Sequence, residues 1–194
     1  MTSEADRAYT FVYRGQLADE ALDRAGRQTR RRADVDHEQI AEMLSIETLD
    51  EAHVENARAM ATVYTAVAAF ENSVREMISK TLMENVGENW WVECVSRPIR
   101  EQAERRMAEE ERVRWHGQRG DDPIQFTMLP QLMNIIRNNQ DHFAPFIHNF
   151  EWAAGVFDVI DRSRNVIMHS GTLHNRDIAR LGMNIRDWTS QVAT

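Results

Sequence analysis

One stretch constrains the fold more than any other. Between about Asp50 and Val86, Val63, Val67, Phe70, Val74, Met77 and Thr81 recur at intervals of 4, 3, 4, 3 and 4. That spacing keeps the side chains in one stripe along a helix, whereas a strand would scatter them over both faces. A helix of this length with one apolar stripe needs other elements to cover it. Strand-like alternation is nowhere sustained, and Gly (8) and Pro (4) are scarce in 194 residues. The expected class is therefore all-α.

The remaining segments supply partner helices. Residues 3–33 read as a charged, weakly amphipathic helix, with Tyr9, Val12, Tyr13 and Leu17 on its modest apolar side and a basic tail from Arg24 to Arg32. Asp36 can N-cap a short helix ending near Leu44. Gly87 should end the long helix, and Asn89-Trp90-Trp91 should turn into a charged helix from about Arg97 to His116. Gly117 to Pro123 has loop composition. A short helix follows from Met128 to Asn139, with Pro130 tolerable in its first turn. Helices are then expected from about Asn149 to Ser170, closed by Gly171 in a left-handed C-cap, and from Asn175 to Val192. The expected organisation is an N-terminal helical extension, 1–45, before a helical domain, 46–194.

Charge and cysteine content narrow the function. Cys94 is the single cysteine, which excludes an intramolecular disulfide and a cysteine-based zinc site. No His/Asp/Glu cluster has metal-ligand spacing, and no cofactor is expected. No signal peptide or membrane-length apolar run is present, so a cytoplasmic protein without membrane contact is expected. A net charge of −8 argues against general coating of nucleic acid. The charge is uneven, however. Residues 1–60 hold eight Arg against thirteen Asp and Glu, whereas residues 161–188 hold five Arg and two His against three Asp. A locally basic patch suits a small phosphate-binding cleft.

That patch contains Arg164-Asn165-Val166-Ile167-Met168-His169-Ser170-Gly171. Arginine offers a permanent charge and a forked donor set that suits phosphate. Histidine both takes and gives a proton near neutral pH. Val156, Ile160, Ser163 and Ile167 form the core-facing stripe of this helix, flanked by Phe157, Val159 and Val166. Asp161, Asn165 and His169 fall opposite it at i, i+4 and i+8, with Arg164 on the flank. On geometry alone two readings stand: a solvated face with an ordinary ion pair, or a polar set converging on one surface.

Spacing alone is a weak signal, since this composition yields roughly 0.8 Arg-x4-His matches by chance. Arg32 to His37 and Arg137 to His142 also match. Arg32 lies in a charged run before a helix break, and His142 lies where a helix is ending near Pro145. Arg162, six residues before His169, is an alternative partner for it. Arg164 is preferred because Asn165 follows it in register with His169. His174 and Arg176, just beyond, are either phosphate contacts or simply exposed.

Arg164-Asn165-x3-His169 near the end of an all-helical chain resembles the signature of the HEPN superfamily (higher eukaryotes and prokaryotes nucleotide-binding), an Arg followed by His after four to six residues. Phe70 to Ile78, with Glu71 and Arg75 at i and i+4, resembles the Glu-x3-Arg helix of related groups. Asn89-Trp90-Trp91, the charged helix after it and Leu132 to Phe143 follow the order of groups tied to RNA surveillance and bacterial defence. The resemblance covers about residues 60 to 190. It implies a HEPN-like helical bundle, a homodimer, and metal-independent cleavage of RNA by its own 2′-hydroxyl, leaving a 2′,3′-cyclic phosphate. Arg164, Asn165 and His169 would be catalytic, with Glu71, Arg75, Asp161, Arg162 and His174 in support. A defence, toxin or RNA-processing role and a protein partner such as an antitoxin would follow. The alternative is a non-catalytic module of the same fold that binds RNA, a nucleotide or a partner protein.

Overall fold

The computed structural model describes residues 37–113 and 115–192. The expected helix at 3–33, its basic tail, Asp36 and Arg32 lie outside the described residues. Among the described residues the protein is all-helical, with eight α-helices and two short 3-10 segments and no strand. The helices are α1 (His37–Met43), α2 (Glu51–Val86), α3 (Trp90–Cys94), α4 (Arg97–Glu111), α5 (Leu129–Asn138), α6 (Gln140–Phe143), α7 (Phe150–Met168) and α8 (Asn175–Val192). The 3-10 segments are Ile46–Thr48 and Pro123–Phe126. The chain separates into two compact units between Glu51 and Ala52. Among the described residues no helix is long and apolar enough to cross a membrane.

Helix α2 does what its stripe dictates. Val63, Val67, Phe70, Val74 and Thr81 are buried, together with Ile78 and Leu82, which widen the stripe at i+4 from Val74 and Ile78. Gly87, at φ +99°, stops the helix where an L side chain would be strained. The stripe meets α7 and α8 in an aromatic cluster. Phe70 packs edge-on against Phe157 (centroids 5.6 Å apart) and Trp188 (5.8 Å), and Trp152 stacks on Trp188 at 6.2 Å. Each such pair adds about 0.5–1.5 kcal/mol beyond its buried area.

The middle of the chain forms the other wall. Leu129, Leu132, Met133, Ile135 and Ile136 of α5 are buried against the same core. Trp90 begins α3 rather than a turn and is 5% exposed, and Trp91 packs partly buried against the core. The charged helix α4 ends at Glu111, short of the expected His116, and contributes Ile99 and Ala103 to the interior.

Two arginines fasten the 3-10 segment Pro123–Phe126 to the bundle. Arg75 of α2 donates to the carbonyls of Ile124 (3.3 Å) and Thr127 (3.0 Å), and Arg106 of α4 donates to that of Phe126 (2.7 Å). The Ile124 carbonyl also accepts from the Thr127 amide at 3.1 Å, while the carbonyls of Phe126 and Thr127, at the end of the segment, take arginine donors.

Candidate functional site

Helix α7 carries the motif, and its ends are defined by specific bonds. Asn149 is the N-cap: its side-chain oxygen accepts from the Trp152 amide at 2.9 Å. Val156, Ile160 and Ser163 are buried as the stripe requires, while Val166, expected to flank it, is 40% exposed.

The C-terminal end corrects one expectation. Ser170, not Gly171, takes the left-handed conformation, at φ 60°. The Ser170 amide donates to Ile167 and the Gly171 amide to Val166 (2.8 Å), a Schellman arrangement with His169 as C-cap. Gly171 is needed for a different reason. A Cβ there would sit 2.7 Å from Val166 Cγ1 and 2.8 Å from the Val166 carbonyl oxygen. His169 is thus at the open end of the helix, its amide bonded to the Asn165 carbonyl at 3.2 Å. Its ring is exposed and makes no hydrogen bond among the described residues.

Arg164 turns the other way, toward α2. Its Nε lies 3.6 Å from Glu71 Oε2, while Glu71 Oε1 accepts from Arg75 Nη2 at 2.6 Å. One carboxylate therefore bridges two guanidinium groups, and the side chains of Arg75, Glu71 and Arg164 are only 15%, 10% and 21% exposed. Burying a carboxylate is costly unless it is paired, and here both oxygens face a guanidinium. Arg75 is committed elsewhere as well, to Asn72 Oδ1 and to the carbonyls of Ile124 and Thr127. It is a strut. Arg164 has no other partner among the described residues, so its Nη groups retain donors for an anion.

The predicted site residues therefore fall into groups. Glu71, Arg75 and Arg164 come together. Asp161 and Asn165 come together, the Asn165 amide nitrogen 3.2 Å from Asp161 Oδ2. Arg162 pairs with Asp158 on the exposed surface at 2.9 Å and joins neither group. His174 is exposed ahead of α8, where its carbonyl accepts from the Asp177 and Ile178 amides. On an ideal helix Arg164 and His169 project about 140° apart. Within one chain they flank the end of α7 instead of touching.

Two concavities lie near these elements. A small one, about 190 Å³, opens between α5 and α7, with Met133, Ala154 and Phe157 as its floor and Asn134, Asp158 and Asp161 at its rim. Sequence spacing carried part of this: Asp158, Asp161 and Asn165 run at intervals of 3 and 4 along one face. Asn134 had no such signal, because only the packing of α5 on α7 brings it there. A larger one, about 540 Å³, lies where α4 meets the loop after it, but its cations are engaged. Arg106 is bonded to Phe126 and Gln131, and Arg119 to Glu110. Among the described residues no group of three or more His, Cys, Asp or Glu is placed to hold a metal ion. No family model, no curated protein and no solved structure matches the chain.

Proposed function

We propose that the protein is a metal-independent endoribonuclease of HEPN type. The observation that carries this reading is the end of α7. A half-buried arginine with spare donors, an asparagine and an exposed, unengaged histidine sit there on a helix pinned by its core stripe. RNA brings its own nucleophile. In the proposed reaction the 2′-oxygen bonds to phosphorus while the bond from phosphorus to the 5′-oxygen breaks. His169 takes the 2′-hydroxyl proton or supplies one to the leaving oxygen. Arg164 stabilises the charge on the pentacoordinate phosphate, and Asn165 orients the phosphate or His169. The products are a 2′,3′-cyclic phosphate and a 5′-hydroxyl.

Because Arg164 and His169 diverge around one helix, we propose that the working form is a homodimer with two His169 side chains across a shared groove. Asn165 and His169 are exposed at the end of that face, as an isologous contact requires, while Asp161 borders the concavity against α5. Val166 and Met168, 40% and 53% exposed beside it, supply apolar contact. A defence, toxin or RNA-processing role, and control by a partner such as an antitoxin, belong to the same proposal.

The second reading, a non-catalytic module for RNA, nucleotide or protein, is favoured by one observation: Arg164 is already paired with Glu71. One experiment separates the two. Mixed RNA is incubated with the protein in EDTA, and the fragment ends are analysed. Cyclic-phosphate ends that vanish with His169→Ala support the enzyme; intact RNA at every protein concentration supports the module. Light scattering gives the assembly state, and a 22.5 kDa monomer during cleavage would exclude the shared groove.

A further inference from the structure

The small concavity between α5 and α7 belongs to the same surface as the proposed cleavage site. Asp161 at its rim is one helical turn from Asn165 and accepts that residue's amide hydrogen with Oδ2. Oδ1 of Asp161 has no partner among the described residues. Nor does the side chain of Asn134 on the opposite wall, while Asp158 is held by Arg162. The floor is apolar: Phe157 is 3% exposed and Met133 6%. At about 190 Å³ the space is below the range for whole drug-sized ligands and suits one flat ring system.

An apolar floor with acceptors on its rim states what it takes. The Asp161 carboxylate, which no cation pairs among the described residues, repels a phosphate or an acid, whereas Asp158 is compensated by Arg162. Asp161 attracts a flat group whose edge presents N–H donors. Among RNA bases, guanine offers adjacent N1–H and N2–H donors to one carboxylate. Uracil offers a single N–H between two carbonyls, which the same carboxylate repels. Single-stranded RNA is recognised by this kind of contact, a base stacked on apolar groups and read along its hydrogen-bonding edge.

We infer that this cavity is a base-selecting subsite for guanine, which seats an unpaired guanosine beside the scissile phosphate. The inference rests on the endoribonuclease reading for its biological meaning, but binding tests it separately. Guanosine and uridine 5′-monophosphates, which carry the same phosphate, are titrated into the full chain by calorimetry. Guanosine monophosphate should bind about tenfold or more tightly, the discrimination a good carboxylate–base pair gives. Asp161→Asn should bring the two nucleotides close to parity, and Asn134→Ala, at an exposed position, should weaken the preference without a folding risk. In parallel, DNA strands with one ribonucleotide are offered, varying the base there or at its 3′ neighbour. Preferential cleavage next to guanine, reduced by Asp161→Asn, is the expected result. If selective binding is seen without any cleavage, the subsite stands and the nuclease reading falls. Equal binding of the two nucleotides, or a preference unchanged by both substitutions, overturns the subsite even if RNA is cut.

Discussion

Arg137 to His142 and Arg164 to His169 share a spacing, and each Arg is followed by Asn, yet the chain treats them differently. Arg137 is in the last turn of α5, and Asn139 then leaves helical geometry at φ −124°, ψ 37°. Its side-chain amide donates to the carbonyls of Cys94 (2.9 Å) and Ile135 (2.7 Å), which fixes the break. His142 therefore belongs to another helix, α6. Arg137 reaches Glu151 at 3.2 Å across open surface, with side chains 43% and 86% exposed. Arg164 and His169 stay on one continuous helix up to its cap, and Arg164 is drawn into a pair with a carboxylate 10% exposed. Identical spacing becomes two unlike objects because the backbone between the residues and the burial of the carboxylate differ.

The largest expected contrast is between the histidines. Replacing His169 by Ala should lower RNA cleavage by about 10²–10⁴-fold, the usual contribution of a general acid or base. His142→Ala should leave it unchanged. His169 is exposed at a helix cap, so circular dichroism and the melting temperature should stay near wild type. Full activity in a folded His169→Ala protein would make the motif decorative, and inactivation by His142→Ala would exchange the roles of the two elements.

Next come the arginines. Arg164→Ala should cost about 10²–10³-fold in kcat, the scale for one donor to a developing oxyanion. Arg164→Lys should cost less, because it keeps the charge and loses the fork. Arg137→Ala should leave kcat where it is. Single-turnover cleavage of one labelled RNA, measured for all three variants, ranks them. A common loss in Arg137→Ala and Arg164→Ala would point to general attraction of RNA rather than a site.

The carboxylate partners extend the contrast to stability. Glu71→Ala leaves Arg75 and Arg164 facing each other half-buried, and should cost about 2–4 kcal/mol. Glu151→Ala removes a partner from a solvated pair and should cost under about 0.5 kcal/mol. Urea denaturation of both variants measures the difference. Equal, small losses would show that the Glu71 cluster is as well solvated as the surface pair.

Much of this was legible in the chain and some was not. The stripe on α2, the stop at Gly87 and, to within two residues, the span of α7 follow from local rules of period and glycine placement. The ion pair between Glu71 and Arg75 followed from i, i+4 spacing. Its low exposure did not, because α7 and the 3-10 segment cover it from distant sequence. The same holds for Arg164, whose partner lies on another helix. The left-handed residue was misplaced by one position, since Gly171 meets a close approach to Val166 while Ser170 takes the turn. Helix length along the charged α4 was overestimated, because a solvated face gives no periodic signal at its end.

The smallest expected effect concerns Cys94, whose carbonyl holds Asn139 in the break that separates Arg137 from His142. Burial first, and the neighbouring Glu93 charge second, raise the Cys94 thiol above the ordinary range. The sign follows directly. The thiolate is the reactive form, and a raised pKa makes it scarcer at any given pH below that value. Alkylation by iodoacetamide near pH 8 should therefore be several-fold slower than for a small free thiol, about what a modest shift and partial burial produce. The rate should keep rising with pH after the free thiol has levelled off. Asn139→Ala removes both side-chain bonds at the break, so Cys94 should react faster and its pH profile should move toward that of the free thiol. Unchanged Cys94 kinetics in Asn139→Ala would mean that packing alone, without the Asn139 bonds, holds the break, and that the decoy element is disarmed by the core rather than by its asparagine.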